Sequence, residues 1–141
     1  MADTAVLSVH DALAEAITQG ANPPTGISNQ QLLGSPRFYR DKAPVGAALG
    51  YFLLGQVSES DEGFYAQPGQ VGRYRVHCWC DTLANAMRLY QWLKGLIHNR
   101  ILVLNGHTMV RGELSLIATQ GDTDGKAWQA MADYNVESLE A

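Results

Sequence analysis

Asn105-Gly106 stands between two apolar-rich runs, ILVL (101–104) and HTMV (107–110). Both residue types accept the positive φ that a type I′ turn demands, so the pair reads as a two-residue hairpin turn. A turn that tight sets the register of the strands on either side, and with it which side chains share a face. The chain is therefore committed to antiparallel pairing here. The returning strand is expected over about 107–119, with Val110, Leu114 and Leu116 on one face and Met109, Arg111, Glu113 and Ser115 on the other.

Two segments upstream constrain the fold almost as strongly. QVGRYRVHCWC (70–80) alternates as a half-buried strand does: Tyr74, Val76, Cys78 and Cys80 on one side, Arg73, Arg75, His77 and Trp79 on the other. It runs directly into a helix expected over 82–98, with Asp81 as its cap. That helix carries two apolar stripes, Leu83, Met87, Tyr90, Leu93 and Ile97, then Leu89, Trp92 and Leu96. A helix lying on one sheet needs an apolar face of roughly 100°. This one has more, so it is expected to be covered on two sides.

The remaining elements are a helix over 4–19, capped by Asp3 or Thr4, and a flexible Pro/Gly loop over 20–35. A short strand follows over 36–41, then a strand over 51–59 with a bulge at Gly55. An exposed loop or hairpin arm is expected over 60–69, and a turn at 121–125. The last strand, 126–138, places Trp128, Ala130, Ala132, Tyr134 and Val136 opposite Gln129, Met131, Asp133, Asn135 and Glu137. The whole is expected to be a single α+β domain over 1–141. A mostly antiparallel sheet of about five strands, with the second helix, occupies 36–139, and both helices pack on one sheet face.

Composition narrows the function. Charged residues make up 17% of the 141, below the roughly 25% usual for a soluble domain, which suggests surface reserved for subunit contacts. The net charge of −4 lacks the basic footprint of a nucleic-acid binder. No apolar run reaches the ~18 residues of a membrane span, so no membrane partner is expected. MADTAVLSVHDALAEAI does not read as a signal peptide. Two cysteines, Cys78 and Cys80, make no disulfide framework and indicate synthesis in a reducing cytoplasm.

No motif announces chemistry. His77 points away from Cys78 and Cys80 on a strand, and a zinc site wants four ligands. Asp122 and Asp124 resemble the start of a calcium loop, but the rest of its ligands are missing. No nucleophile elbow, phosphate loop or dinucleotide fingerprint is present, so no catalytic residue, metal or cofactor is expected. The face bearing Arg73, Arg75, His77 and Trp79 is either ordinary solvated surface or a subunit interface. A tryptophan among arginines is the composition of interface cores. Met109 and Met131 are expected on the same polar face.

The order of these parts resembles the tail completion, or tail terminator, proteins of long-tailed bacteriophages. GRYRVHCWCDT (72–82), ANAMRLYQWLKGLI (84–97), ILVLNGHTMV (101–110) and DGKAWQAMADYNVESL (124–139) carry the likeness, which covers roughly 45–140. The resemblance implies a non-enzymatic virion protein of the tail neck. Six copies would form a homo-oligomeric ring on the major tail tube protein, facing a head-tail connector or stopper, with DNA passing through unread. On that reading the interface candidates are Phe64, Tyr65, Arg73, Arg75, His77, Trp79, Arg88 and Trp92. Rival readings are a different neck component, a connector or stopper, and a small enzyme or ligand-binding domain using His77, the cysteines and the arginines.

Overall fold

The structure is a computed structural model and describes residues 6–19, 37–40, 50–64, 67–104, 106–121 and 126–140. The elements run α1 (Val6–Gln19), β1 (Arg37–Arg40), β2 (Tyr51–Phe64), β3 (Gln67–Cys80), α2 (Leu83–Ile97), β4 (Val103–Leu104), β5 (His107–Gly121) and β6 (Trp128–Glu140). The strands form one sheet in the order β1-β2-β3-β6-β5-β4. Every pairing is antiparallel except β1 with β2. The fold is the expected α+β arrangement, with six strands because β1 and the two-residue β4 both join the sheet. The expected loop at 20–35 and the tip of the 121–125 turn fall outside the described residues.

One face of the sheet holds the core. Period-2 alternation sends Phe52 and Leu54 of β2, Tyr74, Val76, Cys78 and Cys80 of β3, and Ala130, Ala132, Tyr134 and Val136 of β6 to that side, and all are buried. Val9, Leu13 and Ile17 of α1 and Leu89, Leu93 and Ile97 of α2 close over them. Both helices thus lie on the same face. The second apolar stripe of α2 is only half covered: Trp92 and Leu96 pack against the rim of the core, and Leu83 is exposed.

Two local expectations are corrected, and a third, the loop or hairpin arm over 60–69, resolves to the hairpin arm. The cap of α2 is Thr82, whose Oγ1 accepts from the Asn85 backbone N–H at 3.1 Å. Asp81 sits one residue earlier and accepts from Asn85 Nδ2 at 3.0 Å, and that bond lowers its pKa. Met109 belongs to the core, not to the polar face, and Val110 is exposed. A one-residue register shift between Met109 and Arg111 reverses the alternation at Val110. The segment 60–69 is largely strand: Ser60 to Phe64 pair with Val71 to Gln67, so β2 and β3 run on together as a long hairpin. The register also shifts between Leu54 and Val57, where Gly55 sits. At the other lateral edge of the sheet, Leu104 pairs with His107 across a two-residue turn, and Gly106 has a φ of 79°.

Candidate subunit interface

The face of the sheet away from the helices is where the sequence concentrates its unusual side chains. Arg73, Arg75, His77 and Trp79 lie opposite Asn135, Asp133, Met131 and Gln129 of β6. The cross-strand pairs are tied together as a ladder. Arg73 Nε donates to Asn135 Oδ1 at 3.3 Å, and Arg75 Nε donates to Asp133 Oδ1 at 3.1 Å. Arg73 Nε also stands 3.8 Å from Asp133 Oδ2, so one nearly buried carboxylate serves two guanidinium groups. His77 Nδ1 donates to Gln129 Oε1 at 2.7 Å, and Gln129 Nε2 donates on to Gln120 Oε1 at 3.5 Å. The arginines are therefore held within the sheet surface by partners on the next strand. Arg111, bonded to Glu113 at 2.9 Å, continues the pattern on β5.

This arrangement has a definite electrostatic consequence. On the described part of this face, Arg73, Arg75 and Arg111 are matched by Glu113, Asp133 and Glu137. A surface that gathers phosphates needs unmatched cations. A balanced ladder neither holds a nucleic acid backbone nor repels it strongly.

Past the ladder, the face turns aromatic. Tyr51 pairs with Trp79 and Leu53 with His77. Tyr39 of β1 stands beside Leu53, and its ring meets that of Tyr51 edge-on at 5.4 Å between centroids. Together with Met131 these side chains are half-buried on a face that no described helix covers. Trp79 was legible in the sequence as the odd member of an arginine strand. Tyr39, Tyr51 and Leu53 were not, because YFLL and RFYR do not alternate in polarity and only the register assigns their faces.

The other candidates lie elsewhere. Arg88 and Trp92 are on α2, on the opposite side of the sheet. Arg88 Nη1 donates to Asn85 Oδ1 at 3.1 Å, and the Trp92 ring leans on Phe52 at 6.0 Å between centroids. Phe64 ends β2 opposite Gln67, far along the hairpin from Trp79. Tyr65 lies outside the described residues. The eight candidates therefore do not form one patch.

Cys78 and Cys80 point into the core, on the other side of the strand from His77. Burial, reinforced by the neighbouring Cys80, pushes the Cys78 thiol far up, and burial pushes Cys80 up to about 11. Thiols kept neutral are poor nucleophiles and poor metal ligands. Among the described residues, no three of His, Cys, Asp and Glu stand close enough together to hold a metal ion.

No curated protein matches the sequence significantly. A chain from the virion of a native gene transfer agent particle superposes with a TM-score of 0.78, covering 99% of this chain and 100% of its own at 15% identity. At that identity the likeness speaks for the fold. The family model described as tail completion protein gp17 matches residues 28–136, more than three-quarters of the 141 residues. The chain belongs to the tail completion protein gp17 family and is a structural protein of a phage-like tail.

Proposed function

We propose that this protein is the subunit of a ring that ends the tail tube and joins it to the head-neck complex, with DNA passing through the lumen. Six copies make the ring, one face meeting the major tail tube protein and the other a connector or stopper. The observation that carries the reading is the half-buried aromatic patch around Trp79, Tyr51 and Tyr39 on the open sheet face. Aromatic side chains left partly solvated on a rigid strand are what a protein contact completes. The charge-balanced ladder beside the patch suits a conduit, because DNA must slide past without being retained.

Incubating the purified chain with polymerising tube protein and imaging the products tests the reading. Tubes should end in a ring of added density, and their growth should stop. Uncapped tubes of unlimited length, with the chain left free, would sink it. Capture of the chain by capsid-side proteins but not by tubes would instead favour a stopper.

A further inference from the structure

The two outer edges of the sheet have unequal cover. On β5, β4 pairs only with His107 and Thr108. The C-terminal end of α2 covers the next stretch: the Asn99 N–H donates to the Gly112 carbonyl at 2.8 Å, and the Leu114 N–H donates to His98 Nδ1 at 3.0 Å. From Leu116 to Gly121, β5 has β6 on one side and, among the described residues, no strand on the other. That stretch reads LIATQG, with no charge and no proline. Edge strands of monomers are usually blunted by one or the other. Exposed large aliphatics also gather here. Of the six among the described residues, five lie between Ile101 and Ile117: Ile101 (63%), Val103 (94%), Val110 (39%), Leu116 (39%) and Ile117 (46%). A bulge between Leu116 and Ala118 turns Ile117 outward at the start of the open edge.

The opposite side of the sheet offers a matching edge. β1 pairs with β2 only from Tyr51 to Leu54. Beyond it, Val57 to Phe64 pair with β3 on one side, and no described strand lies on the other. The polarity also fits. Counting antiparallel steps from β2 through β3 and β6 to β5 leaves β5 antiparallel to β2. Rotation about a ring axis preserves strand direction along that axis. The β5 edge of one copy therefore meets the β2 edge of the next as an antiparallel pair.

The geometry points to a heterologous strand-to-strand contact between copies: Leu116–Gly121 of β5 adds to the Val57–Phe64 edge of β2 in the next copy, and the sheet continues from subunit to subunit. This rests on the ring reading above and names the surface that builds the ring. Two different edges meeting head to tail generate a closed ring when the rotation closes. The β2 arm carries Glu59, Asp61 and Glu62, so two arms repel one another, whereas the uncharged β5 edge offers no such repulsion. Register places Leu116 level with Leu54, through Ala132 and Val76, so the partners meet with an axial offset of several residues. Strands tilted by about 35–45°, as in closed barrels, supply an offset of that kind. β1, at four residues, is too short to occupy the whole open stretch of β5.

Oxidative cross-linking on tube-assembled protein tests this. A Ser60→Cys variant and a Gln120→Cys variant, both on the face away from the helices, are mixed, assembled with tube protein and oxidised. Disulfide dimers should rise at least about tenfold over either variant alone, and a chain carrying both changes should give a ladder of higher oligomers. Ile117→Lys should abolish the ladder while leaving the folded-state circular dichroism unchanged. Rings that form normally without the 60–120 cross-link overturn the strand contact and leave the ring reading standing. So does a Gln120→Cys chain that cross-links to itself, or to Tyr39→Cys in preference to Ser60→Cys. Absence of any ring on the tube overturns both.

Discussion

Gly95 and Gly112 show how one residue type plays two roles. A Cβ added at Gly95, on the exposed side of α2, meets nothing within 4 Å. Gly95→Ala should therefore raise stability by about 0.5–1 kcal/mol through helix propensity. A Cβ at Gly112 would stand 2.6 Å from Tyr134 Oη, whose ring lies across the glycine. Tyr134 is fully buried and its hydroxyl reaches Met109 Sδ at 3.8 Å, so the ring has little room to yield. Gly112→Ala should lower stability by about 1–3 kcal/mol, and urea denaturation of both variants checks the opposite signs. At the α2 cap, Thr82→Ala should cost about 1 kcal/mol. Asp81→Ala should cost less, since Asp81 bonds a side chain and not the helix backbone. The buried Cys78, Cys80 and Tyr134 all have pKa values raised by burial. The unfolded chain releases these protons first, so their stabilisation is complete below a pH of about 9 and falls as pH rises above it, the Cys80 share being lost through about 11 and the Cys78 and Tyr134 shares beyond it. The denaturation midpoint should fall across that window. It should fall less steeply in a Cys78→Ala/Cys80→Ala variant, even though that variant starts from a lower baseline.

At the scale of elements, β5 departs most from a simple reading. Strict alternation counted back from Leu114 sends Val110 inward and Met109 outward, and the bulge between Met109 and Arg111 reverses both. Met109→Lys should therefore cost several kcal/mol by burying a charge in the core. Val110→Lys should fall within about 0.5 kcal/mol of the parent. Thermal denaturation distinguishes this pattern from its opposite. The helix α2 follows the same logic of coverage. Leu93 faces the sheet and is fully buried, so Leu93→Ala should cost about 2–5 kcal/mol, while the exposed Leu83 should tolerate the same change. Its second stripe, Trp92 and Leu96, is covered partly by the core rim. The excess of apolar surface was legible in the spacing, and the share left over for a neighbour was not.

At the scale of the molecule, the arginine strand divides into parts with different work. Arg75 bonds a nearly buried Asp133, so Arg75→Glu should damage folding as well as assembly. Arg73 is mostly exposed and Trp79 is half-buried at the open patch, which makes them the cleaner probes of assembly. Trp79→Ala, alone or with Arg73→Glu, should leave the melting temperature within a few degrees and reduce capping of tail tubes at least tenfold. Normal capping would make that face ordinary surface. The low charge content finds two physical outlets in this fold: a paired ladder on the open face and an uncharged edge on β5.

Elements within reach of a few residues were determined by the sequence itself. Asn105-Gly106 specified a hairpin, the alternation of 70–80 specified two faces, and the Thr82-led apolar helix specified what must cover the sheet, because backbone geometry imposes periods of 2 and 3.6 locally. The tertiary structure alone decided that β6 lies between β3 and β5, so that Asp133 and Asn135 sit opposite Arg75 and Arg73 across a sequence separation of about sixty residues. It also decided that bulges at Val110 and Ile117 redirect the faces of β5, and that, among the described residues, two edges of opposite polarity are left open. Closing a long loop costs little more than closing a medium one. Strand order is therefore chosen by which faces pack best over the whole sheet, and no local pattern carries that choice.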